Sequence, residues 1–467
     1  MFGIDVGLIA AALPYIRETC AFSSSQLASL VAAVLLGGIP GKIIAAQVSE
    51  RFGRLAAFRL TAVLFVVAVP VICLSGGVFW AMFLGRLLQG VGCALAGLSG
   101  PLYMAECVDA KDRGKGTGMI QLVLTVGLVL AALVGWGVTQ GFGAADSEAV
   151  SHAAKIHAWQ TIFWFSVLPA LVLFAGTFRL KESPRWLFKR GRTDDAYRSL
   201  RANNDEESAR RIIGDLQRSV DAALVCDTTG RARAETLWQR KYVFPFVLAF
   251  LIMVLTQTTG INSILNYSVV LFQKAGLAGT SANAADTFVK LANFLMTAVA
   301  LSLVDRRGRR FLLGVGTAGL VAGLSVVGCV FLGLENGWLG ATEATGWAVV
   351  AGFAVFMAFY GLGPGVCVWL ANSELMPLRI RANGMMITGF ANMATSWLIA
   401  RSFLPWSAVH GESSVFFSLA GLTVVYLLVV ILLLPETKGR SLEEIEALFG
   451  GDSSKKHSSK LSKEIKT

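Results

Sequence analysis

Apolar blocks divide this chain into twelve lengths, and every block but the first is close to or above the twenty residues that a helix needs to cross a bilayer core. They run over residues 2–16, 26–48, 57–76, 79–104, 116–140 and 159–178, then 243–270, 286–304, 310–333, 346–371, 383–404 and 414–434. Membrane strands would alternate in segments of about ten residues. These runs are continuous, so the chain reads as an all-α membrane protein with six spans on each side of a charged middle. Charged residues make up only 15% of the sequence, against about 25% in soluble domains. The 49 glycines suit closely packed membrane helices.

The short loops set the orientation. The stretches "ERFGR" (50–54), "DAKDRGK" (109–115), "DRRGRR" (305–310) and "LRIR" (378–381) are basic, which places them in the cytoplasm. The connections 141–158 and 334–345 carry Asp146, Glu148, Glu335 and Glu343 and face outward. An even number of spans puts both termini inside a cell membrane, in keeping with the lysine-rich end "SSKKHSSKLSKEIKT". The net charge of +11 therefore reports topology. With no basic face on a soluble domain, nucleic acid is not an expected partner; the lipid bilayer is. Cys20, Cys73, Cys93, Cys107, Cys226, Cys329 and Cys367 are scattered and odd in number, so buried small hydrophobes are expected, without disulfides or a metal site. His152, His157, His410 and His457 fall in polar connections or the tail, which leaves no histidine for a relay or a metal.

Four parts follow: residues 1–180, a linker at 181–241, residues 242–435, and a tail at 436–467. In the linker, Ile212, Ile213, Leu216, Val220 and Leu224 recur at helical spacing, which predicts short amphipathic helices on the cytoplasmic face. The halves also echo each other. "SERFGR" answers "VDRRGRR"; Glu106 precedes Arg113 by seven residues, as Glu374 precedes Arg381; "KESPRWL" answers "PETKGRS". A sixfold set of spans used twice suggests alternating access about a central site.

The ordered motifs "GRLLQGVG", "YMAECVDAKDRGKG", "ESPRWL", "QTTGINSILNY", "DRRGRR", "GPGVCVWLANSELMP" and "PETKGR" resemble those of the sugar porter family of the major facilitator superfamily, over essentially the whole length. The resemblance implies two six-helix bundles, a sugar site between them, no cofactor, and a functional monomer. Arg51, Arg54, Glu106, Arg113, Asp305, Arg306, Arg309, Glu374 and Arg381 stand at cytoplasmic helix ends. Acids and bases repeated in both halves suit an inner latch whose ion pairs join the bundles and break on opening. Surface pairs that merely mark topology would contribute about 0–1 kcal/mol each.

A sugar offers hydroxyls that both donate and accept, and apolar faces between them. Amides match the first and tryptophan the second. Gln121, Gln257, Asn262, Asn293, Trp369 and Asn392 match family sugar contacts, though a single amide can equally join two helices. The surroundings differ from the family pattern: Thr256 precedes Gln257 in place of a second glutamine, Asn266 replaces a tyrosine, and Met393 follows Asn392 in place of tryptophan. Gly361 stands where glutamate is frequent, Leu128 where some xylose carriers are polar, and Glu50 where aspartate is usual. The Gly-Pro at 363–364 predicts an interrupted helix in the tenth span.

Asp5, in "FGID", occupies the point of the first span where proton-coupled members carry aspartate and facilitative members carry asparagine. Arg86 matches its buried arginine partner. An ionisable residue in hydrocarbon is costly and commonly functional, and exchange between burial and an arginine can tie protonation to conformation. The block 2–16 gives about 22 Å of helix at 1.5 Å per residue, which predicts a shortened first span with Asp5 near its open end. The expected activity is import of a hexose, pentose or related polyol with a proton, without ATP, since no GxxxxGK[ST] loop is present. A facilitative uniporter is the near alternative, and a sugar sensor a more distant one. No nucleophile–base pair suggests an enzyme.

Overall fold

The computed structural model describes residues 1–107, 113–201, 206–207, 209–214, 217–218, 240–377, 380–438 and 449. Helices follow the apolar blocks: α1 (Phe2–Thr19), α2 (Ser24–Phe52), α3 (Arg54–Cys73), α4 (Phe79–Cys107), α5 (Arg113–Phe142), α6 (His152–Trp164) and α7 (Val167–Gly176). Two short helices, α8 (Pro184–Lys189) and α9 (Thr193–Arg201), belong to the linker. The second half holds α10 (Arg240–Thr258), α11 (Ile261–Lys274), α12 (Gly279–Arg307), α13 (Arg309–Glu335), α14 (Glu343–Leu362), α15 (Pro364–Leu375), α16 (Arg381–His410) and α17 (Glu412–Leu432).

Three spans are broken. The chain kinks between α6 and α7, at Gly260 between α10 and α11, where φ is +80°, and at Gly363 between α14 and α15, just before Pro364. Counting each broken pair once, ten helices among the described residues are long and apolar enough to cross a bilayer. Helices α1 and α16 complete the twelve. Both fall below that mark because they carry polar groups: Asp5, Arg17 and Glu18 in α1, and Asn392, Ser396 and Arg401 in α16. Each of these two spans carries a candidate site residue, Asp5 in α1 and Asn392 in α16.

Several expectations are corrected. Helix α1 has 18 residues and runs on past Ile16 to Thr19; Asp5 does lie in its first turn, but is buried there against α4. The connection 141–158 becomes helical at His152, because Ser151 accepts a bond from the Ala154 N–H and caps α6; His152 and His157 therefore sit on a helix. Cys329 is exposed on α13, whereas Cys20, Cys73, Cys93 and Cys367 are buried; Cys226 lies outside the described residues. In the linker, residues 212–214 and 217–218 are helical, and Leu216, Val220 and Leu224 lie outside the described residues, as does the lysine-rich tail.

The loops 20–23, 143–151, 275–278 and 336–342 gather on the side away from the linker, which we call the distal side. There one apolar core takes in both bundles: Leu8 to Ile16 of α1, Leu128 and Ala131 of α5, Ile264 to Phe272 of α11, and Ala282 to Val289 of α12. Near the linker the cores are separate. One is built only from the second half (Leu248, Ile252, Val304, Leu312, Leu375, Val430) and another only from the first (Ala45, Ala57, Leu95). Among the described residues the bundles thus share an apolar core at the distal side and none at the linker side, where Lys42 Nζ of α2 still donates to the Gly389 carbonyl of α16 at 2.6 Å.

Candidate transport site

Three of the sequence-selected amides meet where α10, α11 and α16 converge. The break at Gly260 turns α11 so that Asn262 faces back toward α10. The Asn262 amide donates to Gln257 Oε1 at 2.9 Å and to Ser396 Oγ at 2.7 Å. Gln257 Nε2 donates to Asn392 Oδ1 at 3.3 Å, and Asn392 Nδ2 donates to the Met253 carbonyl at 2.8 Å. Gln257 and Asn392 are buried while Asn262 is half-buried. Such a chain of alternating donors and acceptors is chemically able to exchange hydrogen bonds with a polyhydroxyl ligand.

The other candidates lie apart from that chain. Asn293, on α12, donates to Met357 Sδ at 3.5 Å and accepts from Thr297 Oγ1 at 3.4 Å. Gln121 is half-buried on α5, in the opposite bundle. Trp369 is 45% exposed on α15, with its ring free to serve as a stacking face. The departures from the family pattern acquire reasons. A Cβ on Gly361 would stand 2.7 Å from the Asn293 carbonyl oxygen, so α14 approaches α12 too closely for a glutamate. Thr256 turns away from the amides to donate to Tyr426 Oη at 3.0 Å. Met393 lies over Gly38 in the α2–α16 seam.

Asp5 and Arg86 are together and dry, 1% and 2% exposed. Arg86 Nη1 donates to Asp5 Oδ1 at 3.1 Å and to Gln89 Oε1 at 3.0 Å. The guanidinium also lies 5.8 Å from the centre of the Phe163 ring. Arg86 Nε and Gln89 Nε2 are buried without a hydrogen-bond partner, so the pair holds unused donor capacity. A single bond joins the carboxylate to the arginine, and Asp5 Oδ2 faces the Cys93 thiol at 3.9 Å.

The linker-side charges form two matching clusters. Arg54 grips Glu106 with two bonds, Nε to Oε2 at 2.7 Å and Nη2 to Oε1 at 2.6 Å, and Ser183 Oγ donates to the same carboxylate at 2.5 Å. In the second half Arg309 Nη2 pairs with Glu374 Oε1 at 3.2 Å, and Thr437 Oγ1 donates to Oε2 at 2.6 Å. Glu182 accepts the Arg54 and Leu55 N–H groups at 3.0 and 3.1 Å; Glu436 accepts those of Arg309 and Arg310 at 3.0 and 3.2 Å. Each carboxylate thus closes the N-terminus of a helix. Gly53 (φ +98°) and Gly308 (φ +90°) make the approach possible, for a Cβ on either would meet the carboxylate at 2.4 Å. Both ion pairs lie within one bundle and do not cross the seam. Arg51 lies over Phe52, and Arg306 accepts from Lys438 Nζ through its carbonyl. Arg381 is half-buried, and the side chains of Arg113 and Asp305 lie outside the described residues.

Sequence reasoning passed over Ser396, Glu182, Ser183, Glu436 and Thr437. The last four stood in "ESPRWL" and "PETKGR", where their repetition was the available signal. It also passed over a buried pair in α12, Asp286 and Lys290, whose Oδ2 and Nζ are 2.6 Å apart.

Two bundles of six spans with matching charge clusters on one side define a multi-pass membrane protein of the major facilitator fold. Residues 1–449 match the family described as Sugar (and other) transporter, and the chain belongs to it, as a sugar porter. It is similar to the Sugar transporter ERD6-like 6 of Arabidopsis thaliana, 30% identical with 96% of this chain and 87% of that protein covered. The Galactose-proton symporter of Escherichia coli (strain K12) is 29% identical, over 96% of this chain and 91% of its own. The inward open conformation of the xylose transporter XylE from E. coli superposes with a TM-score of 0.79 at 23% identity, covering 96% of each chain. XylE bound to 6-bromo-6-deoxy-D-glucose gives 0.75 at 24% identity, again with 96% of each covered.

Proposed function

We propose that this sugar porter imports a monosaccharide or polyol together with a proton, by alternating access. The observation that carries the proposal is the dry Asp5–Arg86 pair in the bundle opposite the Gln257–Asn262–Asn392 chain. A carboxylate held by one guanidinium bond at 3.1 Å is placed to gain a proton when water reaches it and to lose it when arginine reclaims it. A relative's name, galactose-proton symporter, is in keeping with that coupling. The linker side is the cytoplasmic side in this reading, which the basic loops support, and the separate apolar cores there favour an inward-facing form. When the inner side closes, Glu374, Arg113 and Arg381 meet across the seam. Gln121, Asn293 and Trp369 join the amide chain around the sugar as the bundles rock together.

Counterflow in proteoliposomes with a panel of labelled hexoses, pentoses and polyols, with and without a proton gradient, tests both parts. Gradient-driven accumulation of at least one sugar is the expected result. Exchange without accumulation would make the protein a uniporter, and no exchange with any of the panel would remove the sugar assignment.

A further inference from the structure

Helix α12 carries a second ionic pair that neither the sugar chain nor the proton pair uses. Asp286 and Lys290 are one helical turn apart, each only 1% exposed. Ser268 Oγ of α11 donates to Asp286 Oδ1 at 2.6 Å, and Lys290 Nζ donates to Asp286 Oδ2 at 2.6 Å. The same ammonium reaches across the seam to the Gly7 carbonyl of α1, in the other bundle, at 3.4 Å. Gly7 is two residues from Asp5. The pair therefore lies where α1, α11 and α12 close the distal side, inside the core shared by both bundles.

The sign of its effect follows from comparing what stays and what changes. Asp286, Lys290 and Ser268 all belong to one bundle, so their mutual bonds survive when the bundles part. Only the bond to Gly7 is lost, and at 3.4 Å it is long for a hydrogen bond. In exchange, water reaches two ions that were fully desolvated. The desolvation penalty of a buried pair commonly matches or exceeds its attraction, and an apolar replacement of the same shape is often more stable. Hydration outweighs the weak bond. We infer that the Asp286–Lys290 pair is a conformational counterweight: it weakens the distal seal and raises the population of the distal-open form.

The inference rests on the alternating-access reading, but its test needs neither sugar nor a proton gradient, so it fails separately from the transport assignment. Asn283 is 4% exposed and lies beside Gly135 of α5 across the same seam, the Cβ position of Gly135 being 3.4 Å from Asn283 Oδ1. A cysteine there, read by the mass of its own peptide after an impermeant maleimide, reports distal opening in intact liposomes. Asp286→Asn combined with Lys290→Met should slow labelling about tenfold, a shift of about 1.4 kcal/mol. Lys290→Met alone, which leaves an uncompensated carboxylate that is better placed in water, should speed it. These opposite signs identify the counterweight. Labelling at the parental rate or faster in the double variant would overturn it, and so would a rate in Lys290→Met at or below the parental one.

Discussion

Asparagine at position 5 separates a proton carrier from a packing pair. One carboxylate binds one proton, so a cycle that moves one sugar and one Asp5 proton can accumulate sugar about tenfold per pH unit, because a pH unit is worth about 1.4 kcal/mol. A gradient of two units sets the limit at about a hundredfold. In Asp5→Asn the amide oxygen can still accept from Arg86 Nη1, now at 3.1 Å from Oδ1, but no charge changes, and the limit falls to one. Sugar exchange should persist, since the Gln257–Asn262–Asn392 chain lies in the other bundle. Breaking a buried pair on one side costs about 3–5 kcal/mol, so yield and thermal stability are measured alongside. Asp5→Asn with Arg86→Met removes both charges and should recover stability without restoring accumulation. The assay is uptake of labelled sugar into proteoliposomes under an imposed pH gradient. Accumulation near tenfold per unit in Asp5→Asn would refute the assignment.

Asn262→Ala removes the amide that now bonds Gln257 and Ser396 at 2.9 and 2.7 Å and should weaken sugar binding by about 0.5–1.5 kcal/mol for each bond that amide makes to the sugar, read by equilibrium binding to purified, folded protein. Glu374→Gln should raise the reactivity of a cysteine placed at the linker end of α4 or α15, if this charge closes the inner gate; parental labelling would confine Glu374 to its own bundle. Gly53→Ala and Gly308→Ala each force an L side chain into positive φ and toward a helix-capping carboxylate, and should each cost about 1–3 kcal/mol, seen as similar drops in melting temperature in detergent.

The spans were legible because bilayer thickness imposes a length that any apolar run either meets or misses. The tenth-span interruption was legible because proline cannot donate to the helix ladder. The break at 260 was not, since a lone glycine within an apolar run signals little until its φ is seen, and the break at Phe165–Ser166 has no glycine or proline at it to mark it. Gln257, Asn262 and Asn392 stood out as amides in apolar surroundings, but Ser396 did not, because a serine in a membrane helix usually bonds its own backbone. Asp286 was the first residue of its apolar block and looked like a helix end. The helix in fact begins at Gly279, which carries both Asp286 and Lys290 into the membrane core. Glu182 and Glu436 were visible as repeated motifs, but their role depends on separations of 128 and 127 residues in the chain closing onto the N-termini of α3 and α13.

The two sides of the molecule are held by different forces, and a carrier requires those forces to balance within a few kcal/mol. On the distal side a shared apolar core buries Tyr15, Tyr267 and Phe272, and at about 25 cal/mol per Å2 of apolar area removed from water such a seal would leave the distal side closed unless something opposed it. On the linker side the Arg54–Glu106 and Arg309–Glu374 pairs are 12–20% exposed and, in this form, fasten helices inside each bundle without bridging the seam. What opposes the distal seal must lie within it and prefer water. Among the described residues, the buried ions at the joint between α1 and the second bundle are Asp286 and Lys290, and Asp5 lies two residues from the carbonyl that Lys290 reaches. Charge placed inside the apolar seal favours reopening of a closed side, and the Lys290–Gly7 bond puts the helix that carries Asp5 in direct contact with it.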